Sequence, residues 1–306
     1  MEEGLKMDIF KIFKENSLLS SVDTLQKTTK TVNNLIALVS DNNVSISVKE
    51  MLNGLKSVLV EKPNISALNH YINHFLLRLD PEQQPIVIKE LLEVFHERWK
   101  NVERKTAEVA AQYYDFENKT IYLFGSDPSI LSLIDLLLVK QIKFKAVQLL
   151  TDRTEKDKEQ ASAIALKGIP VKVSTIAGFG KPAGETAVLI MGCDIIMHET
   201  FKAQSGAHLL TSAAQTFAIP VLVLADSRKI LNKKFFNPSV AQLLTGKEDK
   251  SGNVIWKNTP QNIETIHNYT EEIPNHFINC FILEKEALTP EELIEKIDKV
   301  LVVNFF

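Results

Sequence analysis

The chain has 306 residues, 45% of them hydrophobic and 24% charged, with a formal net charge of −3, which is enough to bury one large core or two smaller ones. Neither sign of charge dominates any long stretch, so there is no electrostatic case for nucleic acid or an anionic membrane surface. The longest apolar runs are about ten residues, roughly half of a membrane-spanning helix, and the opening "MEEGLKMDIFKIFKE" has no basic region leading into an apolar one, so it does not read as a secretory signal.

Along the chain the pattern changes character near residue 115. Before it, apolar residues recur at helical spacing: Leu68, Ile72, Phe75, Leu76 and Leu79, then Ile88, Leu91, Leu92, Phe95, Trp99 and Val102, as on one face of a 3.6-residue period. Pro63, Pro81 and Pro85 punctuate this part, and "LDPEQQP" reads as a turn before a helix start. Residues 1–115 are therefore expected to form a helical domain.

From 116 to 306 the expectation is an α/β domain. Apolar runs rich in Ile, Val and Leu appear at 120–125, 144–150, 169–174, 187–192, 219–225 and 277–283, most of them separated by helix-like stretches such as "PSILSLIDLLLVK". Continuous apolar strands alternating with helices are what a sheet covered on both faces requires, so this part reads as a doubly wound, mainly parallel, Rossmann-like sheet. Ligands on such sheets bind at the carboxyl ends of the strands. The turns expected there carry Ser126, Asp127, Asp152, Arg153, Ser174, Thr175, Asp194, His198, Glu199, Asp226, Arg228 and Lys229. Of these, Ser126, Arg153, Asp194, Arg228 and Lys229 are the candidate ligand- or phosphate-binding residues. Three are cations, able to hold a phosphate if they converge; the simpler alternative is that loops are polar because they face water.

Other motifs fail on spacing. "GFGKPAG" is one residue longer than the dinucleotide fingerprint, and Lys181 is followed by Pro182 where a triphosphate loop needs Ser or Thr. His70 and His74 lie four apart on one helix face, half of a zinc site without a third ligand, and read as a surface or interhelical pair. There is no GxSxG elbow, and neither cysteine has a histidine near it in sequence. Cys193 and Cys280 read as reduced core thiols of a cytoplasmic protein. No metal or cofactor is implied.

The order of these features resembles a known family. A helical half, then a strand ending in "GCD" (192–194), then "IPVLVLADSRK" and the closing "NYTEEIPNHFINCFILEKEALTPEELIEKI" are similar to the alpha, beta and delta regulatory subunits of translation initiation factor 2B. Related to these are the methylthioribose-1-phosphate and ribose-1,5-bisphosphate isomerases. The closing match runs from Asn268 through Pro274 and Ile278 to Pro290. The isomerases pair a cysteine after the first sheet strand with the aspartate of a "GAD" triplet, to move a proton between adjacent sugar carbons. Asp194 matches that aspartate, but the cysteine position falls at Gly125. Arg153 matches the arginine of an "ETRP"-like turn. Of an expected "NG…NK-x-G" segment only Gly206 corresponds, and the isomerases' "RGAP" segment has no counterpart.

The resemblance implies a non-catalytic regulatory subunit, acting in translation control through contacts with itself, with related subunits or with initiation factor 2. The alternative it leaves open is a sugar-phosphate isomerase or sensor using Asp194, Arg153 and Arg228 or Lys229. Strand alternation places Cys193 on the face opposite Asp194, and Asp194 is expected to accept hydrogen bonds from its neighbouring loop.

Overall fold

In the computed structural model of the chain, residues 70, 74, 78, 86–151, 154–180, 186–231, 256, 258–265, 268 and 270–299 are described. The chain divides into two compact units, one of residues 1–100, 231–244 and 300–306, the other of 101–230 and 245–299. Most of the helical reading of residues 1–115 lies outside the described residues. Within the first unit, α1 (Ile86–Trp99) buries Phe95 and Trp99. His74 meets the Phe95 ring at 5.1 Å and His70 meets Trp99 edge-on at 5.3 Å, so the two histidines face an aromatic cluster.

The second unit contains α2 (Val102–Tyr113), β1 (Lys119–Phe124), α3 (Pro128–Val139), β2 (Phe144–Leu150), α4 (Thr154–Ala165) and β3 (Val171–Thr175). Next come β4 (Ala187–Gly192), β5 (Ile195–Ile196), β6 (Thr200–Gln204), α5 (Ala207–Phe217) and β7 (Val221–Leu224). The unit closes with β8 (Thr270–Pro274), β9 (Cys280–Ile282), β10 (Ala287–Leu288) and α6 (Pro290–Asp298). Seven strands form one sheet in the order β10-β9-β7-β4-β1-β2-β3. All its pairings are parallel except β9 with β10. Each of the six apolar runs read from the sequence is a strand of this sheet, and the sheet is mixed only at the β10 edge.

Two features escaped the sequence pattern. The short antiparallel sheet β5-β6-β8 is built from "II", "TFKAQ" and "TEEIP", whose polar residues hide the period. The two-residue β10 is too short for any pattern to register.

Register explains the core. Ile121 and Leu123 of β1 lie beside Val188 and Ile190 of β4, and side chains alternate between faces. These residues join Leu222, Leu224, Cys280 and Ile282 in one buried cluster with Ala107 and Ala110 of α2 and Ile130, Leu133, Ile134 and Leu137 of α3. On the other face Phe201 of β6 meets Phe281 at 5.6 Å, and Tyr122 meets Phe179 at 4.9 Å. Helix α6 starts with a capping box: Thr289 and Glu292 each accept the other's backbone N–H, two donors otherwise left unsatisfied.

Candidate functional site

Strands β1 and β4 are neighbours whose helical connections run to opposite sides of the sheet order, toward β2 in one case and β7 in the other. This is the switch point where the carboxyl ends of an open sheet leave a crevice. The chain reaches it through Gly125-Ser126-Asp127 after β1, Cys193-Asp194 after β4 and Asp226 to Lys229 after β7.

Gly125 adopts φ +73°, a left-handed conformation in which a side chain is costly. A Cβ there would stand 2.9 Å from Gln204 Oε1. The carbonyl of Gly125 accepts from Gln160 Nε2 at 2.9 Å, and that amide also donates to Gln148 Oε1 at 2.9 Å. Gln160 Oε1 in turn accepts the Asp127 N–H at 3.2 Å. Gln148 is fully buried in β2, and its polar group in the "FKAVQLL" run was the available sign of this network. Beyond it, Gln204 donates to Thr151 Oγ1 at 2.7 Å, and Thr151 donates through both N and Oγ1 to Asp157.

Asp127 caps α3, accepting the Ser129 N–H at 2.8 Å. Its other oxygen lies 3.3 Å from Lys229 Nζ. Burial opposes the Lys229 charge, but Asp127, followed by Cys193, Asp226 and Asp194, outweighs it and raises the amine's pKa. Arg228 turns back on Asp226 in a bidentate pair, Nε to Oδ1 at 2.8 Å and Nη2 to Oδ2 at 3.0 Å. Burial would push Asp226 up, yet the Arg228 charge and hydrogen bonds hold its carboxyl below the usual carboxylate range. Both described cations therefore already have carboxylate partners. Arg153 and Asp152 lie outside the described residues, and Ser126 is exposed.

Asp194 is half-buried. Its N–H donates to the Lys202 carbonyl at 2.8 Å while Ile195 is the register partner of the same Lys202. Two consecutive residues opposing one is the geometry of a β-bulge, which re-aims the side chain at a strand end. Beyond Gly192 the chain has left β4, and the next side chain, Cys193, is buried. Burial pushes the thiol up to about 12, so at neutral pH it is protonated and a poor nucleophile. Among the described residues no hydrogen bond is accepted by the Asp194 carboxylate, in contrast to the expected loop contacts. The loop is held instead by Asn275, whose Nδ2 donates to Met197 O at 3.0 Å and whose N–H donates to Glu199 O at 2.9 Å.

The strand order, the switch point and the polar residues gathered there define a doubly wound α/β protein. The chain belongs to the initiation factor 2 subunit family, whose model matches residues 8–290. Among solved structures it is similar to the translation initiation factor eIF-2B of Pyrococcus horikoshii OT3, with a TM-score of 0.71 and 19% identity over 94% of this chain and 98% of that one. It is also similar to eIF2B delta from Chaetomium thermophilum, with a TM-score of 0.66 and 16% identity over 92% of this chain and 97% of that one. A third match is the tetrameric eIF2B-beta2-delta2 complex of C. thermophilum, at a TM-score of 0.65 and 16% identity, covering 90% of each chain. At these identities the likeness is one of fold. No curated protein matches the chain.

Proposed function

We propose that this protein is a non-catalytic, regulatory-subunit-like member of its family. It acts in the cytoplasm by protein–protein contacts in the control of translation initiation, at the guanine nucleotide exchange on initiation factor 2. Its partners are further copies of itself or related subunits, and initiation factor 2. In this reading residues 1–115 form a helical domain that presents the regulatory surface, and residues 116–306 mediate assembly. The observation that carries the reading is Gly125. The position matching the isomerases' cysteine has no side chain, a left-handed backbone and Gln204 in the space a side chain would enter. A positioned acid or base contributes about 100- to 10,000-fold in rate, and Cys193 does not supply one.

The test pairs two measurements on the purified full chain. Ribose-1,5-bisphosphate and methylthioribose-1-phosphate should show no turnover. Affinity capture from native cytoplasm with mass identification should return family subunits or initiation factor 2, unchanged by Asp194→Asn. Turnover abolished by Asp194→Asn would overturn the proposal.

One observation favours a second reading, a sugar-phosphate isomerase or sensor: the Asp194 carboxylate stands at the crevice with no hydrogen bond among the described residues. In that case ribose-1,5-bisphosphate should raise the melting temperature, as any ligand selective for the folded state does. Arg153→Ala should remove the shift.

A further inference from the structure

The two edges of the seven-stranded sheet are finished differently. At one edge lies β10, two residues long and followed almost at once by α6, a short edge that offers little to a further strand. At the other lies β3, the five residues "VKVST", with β2 on one side only. Lys172, Val173 and Thr175 are exposed, Val173 by 53%. Among the described residues no hydrogen bond is made to the outer backbone of this strand.

Register decides which groups face outward. Strands β2 and β3 are parallel, with Ala146 beside Val171, Gln148 beside Val173 and Leu150 beside Thr175. The Ala146 N–H donates to the Pro170 carbonyl, so the ladder to β2 uses residues 170, 172 and 174, because successive residues of a strand turn their N–H and C=O to opposite sides. Val171, Val173 and Thr175 are left with both groups directed away from the sheet. Their side chains share one face, the face on which Val171 packs against the cluster that contains Ile164 of α4.

Such an edge is complementary to itself. Run antiparallel about a two-fold axis at Val173, it pairs Val173 with its own copy and Val171 with Thr175 in both directions. Each of these pairings exchanges both N–H···O bonds, and the central one sets two β-branched side chains against each other, a stabilising cross-strand pair. Lys172, the one charged residue of β3, falls opposite Ser174. An axis at Lys172 would put the two lysines face to face and leave Thr175 without a strand partner. An axis at Ser174 would leave Val171 without one, and a shift by a single residue would set outward groups against inward ones. Hydrogen bonding and charge together select one register, and a self-complementary surface makes an isologous contact.

We propose that β3 is the contact through which two copies of this chain associate, joining their sheets into one across a two-fold axis at Val173. Association of this kind rests on the assembly reading of the proposed function and names the surface it uses. A single strand pair is small beside the roughly 1,200–2,000 Å² of a standard interface, so the dimer is expected to be weak and to depend on protein concentration.

The test is sedimentation velocity of the full chain over a range of concentrations, with variants at the centre of the contact. The unmodified chain should pass from monomer to dimer as concentration rises. Val173→Lys sets like charges directly opposite each other, and Val173→Pro removes the outward N–H, which an edge strand tolerates. Each should raise the dissociation constant about tenfold or more. Val173→Lys, at an exposed position, should keep the melting temperature of the unmodified chain, and Lys172→Ala should leave the dimer as it is. Val173→Cys should cross-link under mild oxidation faster than Lys172→Cys, because only the former meets its own copy, and the native Cys193 and Cys280 are buried. A dimer that survives both substitutions at Val173 overturns the inference while self-association stands, and equal cross-linking of the two cysteine variants overturns the axis at Val173. A chain that is monomeric at every concentration overturns both the inference and self-association. Loss of related subunits from the affinity capture by Val173→Lys, with self-association intact, gives the edge to a different partner and overturns a second copy as its occupant.

Discussion

Asp127 and Lys229 reach each other over the end of a strand that belongs to neither. Asp127 follows β1 and Lys229 follows β7, and β4 lies between those strands. Their 3.3 Å contact passes Gly192, the last residue of β4, where a Cβ would stand 2.8 Å from Asp127 Oδ2 and 3.1 Å from Asp127 Cβ. Gly192 is therefore what lets the two charges meet.

Removing one partner of a buried pair strands the other, at about 3–5 kcal/mol. Asp127→Asn keeps an amide oxygen able to cap α3, and Lys229 still feels Asp226 and Asp194, so its cost should fall at the low end of that range. Lys229→Met leaves three carboxylates with less compensation and should cost more. Urea titration of both variants and of the double mutant checks this order, with the double mutant costing less than the sum.

Gly192→Ala should break the same pair without touching either charge. The methyl group meets the fixed Cβ of Asp127, not only the mobile end of its side chain, so the capping residue must shift. A loss of about 1–3 kcal/mol is expected, in the range of overpacking. Combined with Asp127→Asn the losses should be clearly less than additive, measured by the same titration.

Gly125→Cys should not restore an isomerase. The left-handed φ costs a side chain roughly 1–2 kcal/mol, and the new Cβ displaces the Gln204 amide that donates to Thr151. Adding Gln204→Ala should recover part of the stability and none of the backbone strain. Calorimetry compares the variants, and a sugar-phosphate assay should stay blank for both.

The first unit should be sensitive to mild acid. Burial, helped by the charges of Arg78 and Arg98, lowers His74 to about 4 from 6.5. The folded state therefore binds fewer protons than the unfolded chain between those values. Its contribution is complete above pH 6.5 and lost as pH falls toward 4, by up to on the order of 3 kcal/mol. His74→Phe, which keeps a ring against Phe95, should flatten this dependence, read by hydrogen exchange along residues 86–99.

Periodicity made the large sheet legible before any coordinates. Hydrophobic burial on two faces forces long Ile, Val and Leu runs, and all six runs became strands. The turns at the crevice were legible for the same reason, because a strand that stops being apolar marks its own end. Asp194, Arg228, Lys229 and the glycine at 125 can all be named from the order of residues alone.

What those residues do to one another was decided only by tertiary structure. Arg228 and Lys229 are adjacent in the chain, yet one turns to Asp226 and the other crosses β4 to Asp127, because partner choice depends on distances set by strand order. The bulge at Asp194 was equally hidden, since a one-residue insertion is invisible to a period of two. Strand β6 stayed hidden in "TFKAQ" because a short strand of mixed polarity has no pattern of its own.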